Sequence, residues 1–113
     1  MSDLKNWCVS EVIARVAAAN YKPNPEAELL GVEIPDELHS AVDAIEGLVH
    51  NTWAAGRMAQ GWTWGPARDD ANKKHPDLIP SCCLSDEERA FNRDTAAATV
   101  RKLLAMGFKI TRA

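Results

Sequence analysis

No stretch of this sequence comes near the ~20 consecutive apolar residues that cross a bilayer, which excludes a membrane-spanning helix. The opening MSDLKNW lacks the basic and apolar regions of a secretory leader, so the chain reads as cytoplasmic. Cysteine is scarce: three residues, two of them adjacent at Cys82 and Cys83, make a poor disulfide framework and fit a reducing compartment. The adjacent pair also has the wrong spacing for chelation, and His75 brings no second Cys/His pair, so no metal and no cofactor is expected. A G-x-S-x-G elbow is missing, the thiols and His75 lack an orienting context, and His39 and His50 lie more than two turns apart on one predicted helix. These absences argue against an enzyme. A dense basic stripe is missing too, and the net charge is −3, which disfavours general nucleic-acid binding.

What the sequence does hold is ordinary globular material, 46% hydrophobic and 26% charged over 113 residues, enough for one domain with a modest core. Charge is uneven along it. Residues 1–50 carry three basic and nine acidic side chains, whereas residues 51–113 carry ten and seven. The positive half also contains three of the four tryptophans.

The periodicities predict a mainly α fold of three principal helices with short extended segments or a minimal β-sheet. Ser2 or Asp3 can cap a first helix running to about Ala19, with Leu4, Cys8, Val12, Val16 and Ala19 at helical spacing. Asn20 and the prolines of YKPNP end it, so residues 1–19 form an N-terminal helix ahead of a unit spanning 20–113, in one compact domain overall. Tyr21 to Ile34 reads as extended, with a short strand in Leu30–Ile34. Pro35 opens a long second helix whose stripe is Leu38, Val42, Ile45, Val49 and Gly56 and whose end lies near Gly61. Trp62 to Gly65 alternates like a strand, and a polar loop follows to Pro80. Ser85 with Glu88 forms a capping box for the third helix, whose apolar side is Phe91, Thr95, Ala98 and Leu103 with Val100 and Leu104 nearby. Gly107 closes that helix, and Phe108 with Ile110 suggests a terminal strand pairing with an earlier extended piece.

The richest stretch for chemistry is WAAGRMAQGWTWGPARDDANKKHP, Trp53 to Pro76. Helical spacing puts His50, Trp53 and Arg57 along the border of the second helix's buried face. Indole faces stack on planar rings, and arginine forks match phosphate or carboxylate oxygens. Trp53, Arg57, Trp64 and Arg68 are therefore candidate ligand-binding residues, with Trp62 read as core and His75 as a loop-fixing residue. Asp70 and Lys74 add an acceptor and a cation from the polar loop; a structural alternative has the aspartate capping a turn and the lysine paired with a neighbour. Asn92 sits in a helix interior, where an amide is mildly unfavourable unless it has a partner, and solvent exposure is the alternative.

With its flanks, this stretch resembles the ryanodine receptor repeat, the RyR domain. The matching elements are YKPNP at Tyr21 to Pro25, PDEL at Pro35 to Leu38 and HNTWAAGRMAQGWTWG at His50 to Gly65. They continue through RDDANKKHPDLIP at Arg68 to Pro80 and LSDEERAFNRDTAAATVRKLLAMGF at Leu84 to Phe108. The family occurs as tandem pairs in calcium-release channels and as single copies in bacterial and phage proteins. Its fold agrees with the helical reading. The resemblance implies a non-enzymatic module that recognises a nucleotide or nucleotide-derived signalling molecule, as a sensor or sequestering protein. Asn92 then faces the same cleft as Trp53, while Trp64 stands where the family usually has tyrosine, losing a hydroxyl. The alternative function is a protein-interaction module in which a lone copy forms a homodimer.

Overall fold

A computed structural model of the chain describes residues 8–113. Four helices carry the described residues: α1 (Val9–Asn20), α2 (Pro25–Glu28), α3 (His39–Ala59) and α4 (Asp86–Ala105). Two short strands, β1 (Thr63–Trp64) and β2 (Lys74–His75), complete a mainly α architecture.

Its centre is the pairing of α3 with α4. Val42 on α3 meets Ala96 and Val100 on α4, all buried, and Ile34, Leu38, Ile45, Val49, Leu104 and Ile110 pack around them. The small Ala96 permits close approach of the two helix axes, and Arg93–Asp43 and Arg89–Glu46 ion pairs flank the seam. The exposed Arg93–Asp43 pair fixes alignment more than stability.

Sequence punctuation accounts for the ends. Ser85 Oγ accepts from the Glu88 amide at 3.2 Å, as a capping box requires, and its hydroxyl donates to Glu88 Oε1 at 2.8 Å. Gly107, at φ 95°, closes α4 through Phe108 N–H to the Leu103 carbonyl. Gly61, at φ 91°, does the same for α3, with Trp62 N–H bonded to the Arg57 carbonyl at 3.0 Å. That stop aims the chain into β1.

Four expectations need correction, the first being the extended reading of Tyr21 to Ile34, within which Pro25–Glu28 forms α2. No strand forms in Leu30–Ile34, because Leu30 and Gly31 are both left-handed (φ 53° and 71°) and reverse the chain after α2. Arg101 holds this turn on α4, donating to the Val32 carbonyl and, bidentately at 2.9 Å, to Glu26. Phe108 to Thr111 forms no strand; the small sheet is instead β1 against β2, parallel, with Thr63 opposite Lys74 and Trp64 opposite His75. On α4, Phe91 is 73% exposed, and the buried side runs through Ala96 and Val100. The stripe expected through Phe91, Thr95 and Ala98 faces open grooves.

The helix α1 begins at Val9, with Cys8 extended as its N-cap and donating its amide to Glu11. The caps foreseen at Ser2 or Asp3, and Leu4, lie outside the described residues. The helix ends as foreseen, the Asn20 side chain donating to the Val16 carbonyl at 3.1 Å. None of its residues is buried.

Candidate functional site

The glycine-stopped end of α3 delivers three side chains to one place. His50, Trp53 and Arg57 lie three and four residues apart, and so share the helix edge that faces the loop between β1 and α4. His50 is buried and its Nε2 donates to the Ile79 carbonyl at 2.7 Å, tying α3 to that loop. A carbonyl can only accept, so in the neutral ring Nδ1 is the free acceptor.

The sheet positions His75. Gly65 lies under Lys74 so closely that a Cβ there would fall 2.7 Å from the Lys74 Cβ, which only glycine permits. Lys74 Nζ donates to Thr63 Oγ1 at 2.7 Å, and Asp69 and Lys74 exchange backbone hydrogen bonds at 2.9 Å. The Asp69 carboxylate caps the intervening turn by accepting from Asn72. His75 consequently stands against Trp53, with ring centroids 4.8 Å apart and planes at 73°. The Asp77 amide donates to His75 Nδ1 at 3.0 Å, leaving Nε2 as the protonated nitrogen of the neutral ring.

A cleft of about 260 Å³ opens beside this pair. Trp53, His75, Phe91 and Leu84 give it apolar walls, and His50, Asp77, Glu88 and Asn92 supply its polar groups. The two carboxyls interact directly. Burial, followed by the hydrogen bond and like charge of Glu88, raises the Asp77 pKa; the hydrogen bonds from Asp77 and from Ser85 lower that of Glu88. The two carboxyls therefore titrate as a pair. The cleft is thus an aromatic slot with an acidic side.

Of the residues singled out from sequence, Trp53 and Asn92 line this cleft. Arg57 lies beyond it, its guanidinium 5.0 Å from the ring centre of buried Trp62, which in turn neighbours His75 at 6.4 Å. Trp64 is 54% exposed and donates its indole N–H to the Pro76 carbonyl at 3.2 Å. Arg68 is paired with Asp70 at 2.8 Å on the surface, which raises the arginine's pKa and lowers the aspartate's, hydrogen bonding being the main cause in each. Lys74 is engaged with Thr63. None of these three cations lines the cleft. Sequence reading missed Asp77, Glu88 and the cleft-facing role of His75. Glu88 was visible only as a capping residue, and nothing in the local pattern shows that Asp77 meets it from a different segment.

A helix pair with a looped tryptophan segment packed at one end defines a small, mainly α domain with an aromatic cleft at that end. A family model for the RyR domain matches residues 21–112, and the chain belongs to the RyR domain family. The helix α1 lies ahead of the matched span. Among the described residues, no helix is long and apolar enough to cross a membrane, and no three His, Cys, Asp or Glu side chains converge as a metal site.

Proposed function

We propose that the domain binds, without turning it over, a nucleotide or nucleotide-derived signalling molecule, and acts as a sensor or a sequestering protein. The observation that carries this reading is the cleft itself: Trp53, His75 and Phe91 bound a slot suited to a flat ring, and Asn92, Asp77 and Glu88 line it with polar groups. An asparagine amide offers one donor and one acceptor side by side, the complement of an adenine edge, and carboxylates accept from ring or exocyclic N–H groups.

Charge sets the orientation. Two carboxyls inside the slot oppose a phosphate there, so the ring enters and the phosphate stays outside. Arg57, in the row that runs through Trp62 and His75 to Trp53, is the cation available to it. Arg68 is already neutralised by Asp70, so Arg57 carries more of that role.

Tryptophan fluorescence titrations with AMP, GMP, cyclic AMP and ADP-ribose test the reading. Saturable quenching that is lost in Trp53→Ala and weakened roughly tenfold or more in Asn92→Ala supports it. Saturable binding that Trp53→Ala leaves intact places the ligand elsewhere. Recovery of an unaltered nucleotide after incubation distinguishes binding from hydrolysis.

A further inference from the structure

The polar side chains of the aromatic cleft have hydrogen-bonding capacity that the protein itself does not use. His50 is 4% exposed, and with its Nε2 spent on the Ile79 carbonyl its Nδ1 has no partner. Among the described residues, no buried side-chain nitrogen or oxygen lacks a partner, so this nitrogen reaches open space, and His50 lines the cleft. Asn92 is half-buried in the same lining, and its amide makes no hydrogen bond to the protein. The Asp77 carboxyl has the Glu88 carboxyl as its hydrogen-bond partner, and Glu88 Oε1 also accepts from Ser85 Oγ at 2.8 Å. Polar groups drawn out of water in this way are costly to leave unmatched.

Acceptors outnumber donors here. Two carboxylates, the Asn92 carbonyl and His50 Nδ1 accept, whereas the Asn92 amide and His75 Nε2–H are the donors. A complementary ring therefore presents adjacent N–H groups to the carboxylates and one acceptor to the amide. The backbone sets their order. Glu88 and Asn92 stand four residues apart on one face of α4, about 6 Å along its axis, and Asp77 arrives from the preceding loop.

Among the common bases only guanine has that edge. Its O6 is an acceptor, and its N1–H and 2-amino group are two adjacent donors. Adenine would set its N1 lone pair against a carboxylate, and cytosine its N3, each facing acceptor with acceptor. Uracil has a single N–H between two carbonyls. Asn92 taken alone suits adenine; the carboxylates beside it reverse that preference.

We propose that the cleft selects guanine: the Asn92 amide donates to O6, and the Asp77 and Glu88 carboxylates accept from N1–H and the 2-amino group. This selection rests on the cleft being a nucleotide site, with Trp53 and His75 in its walls.

Calorimetric titrations of the full chain near neutral pH with GMP, inosine monophosphate and AMP test it, because the three share sugar and phosphate and differ only at the base. GMP should bind at least about tenfold more tightly than AMP, with inosine monophosphate, which lacks the 2-amino group, between them. Asp77→Asn and Glu88→Gln each replace an acceptor oxygen by a donor, and should bring the GMP and AMP affinities together. Glutamine preserves the capping box with Ser85, and retained helical circular dichroism in both variants separates lost selectivity from lost fold. AMP or inosine monophosphate binding as tightly as GMP overturns the selection and leaves the nucleotide site in place. So does a GMP preference that neither variant moves. Failure of all three nucleotides to bind overturns the nucleotide reading along with it.

Discussion

His75 stands edge-on to Trp53, its ring locked by the Asp77 amide and its strand locked to β1. Edge-to-face aromatic pairs contribute about 0.5–1.5 kcal/mol beyond area burial. His75→Ala should therefore lower the melting temperature by a few degrees and release the Trp53 side chain. A change in tryptophan emission and near-ultraviolet dichroism, with helix content kept, is the expected signature. Unchanged aromatic spectra would show that His75 does not order the cleft wall.

Two glycines should respond oppositely to one added methyl. At Gly65 it meets the Lys74 side chain at 2.7 Å, so Gly65→Ala should cost about 1–3 kcal/mol and disturb the β1–β2 pairing. At Gly56, inside α3, it meets nothing within 4 Å, so Gly56→Ala should add about 0.5–1 kcal/mol. Denaturant melts of the two variants measure both signs.

The carboxyl pair gives a pH signature. Glu88 has a lowered pKa, so its contribution to stability is present above the ordinary value of 4.5 and is lost as pH falls through its folded value. Asp77 has a raised pKa, so its contribution is present below the ordinary 3.8 and is lost as pH rises through its folded value. Above that value the ionised Asp77 opposes folding. Asp77→Asn should melt higher than wild type above the folded pKa of Asp77, and the gain should shrink as pH falls through it. The same substitution should weaken binding of any ligand that donates N–H groups to the pair. Parallel melting curves that keep a constant separation at every pH would contradict this.

Much of the fold was legible because its elements are locally encoded. The Val42–Ile45–Val49 stripe, the Ser85–Glu88 cap and the Gly61 and Gly107 stops each depend on neighbours within a turn or two. The strand pairing was not, because β1 meets β2 across a turn held by Asp69 and Lys74. On α4 the visible stripe through Thr95 and Ala98 is apolar for a groove, whereas the core contact depends on Ala96, whose small side chain carries little periodic signal. In the site, Trp53 was legible from its helix edge. The placement of Asp77 beside Glu88 is a tertiary outcome with no trace in local spacing, and the Arg57–Trp62 and Arg68–Asp70 contacts, though close in sequence, depend on turns that no periodicity shows.

The central claim is that the cleft beside Trp53 binds a nucleotide-like ring. The most direct measurement is thermal melting of the full chain and of Trp53→Ala against mono-, di- and cyclic nucleotides, ADP-ribose and NAD. A ligand at 100 times its dissociation constant adds about 2.7 kcal/mol, a shift of several degrees in a domain this small. The account predicts such a shift for at least one nucleotide in the wild type and none in Trp53→Ala. A panel that leaves the wild-type melt unmoved, or moves both proteins equally, would contradict it.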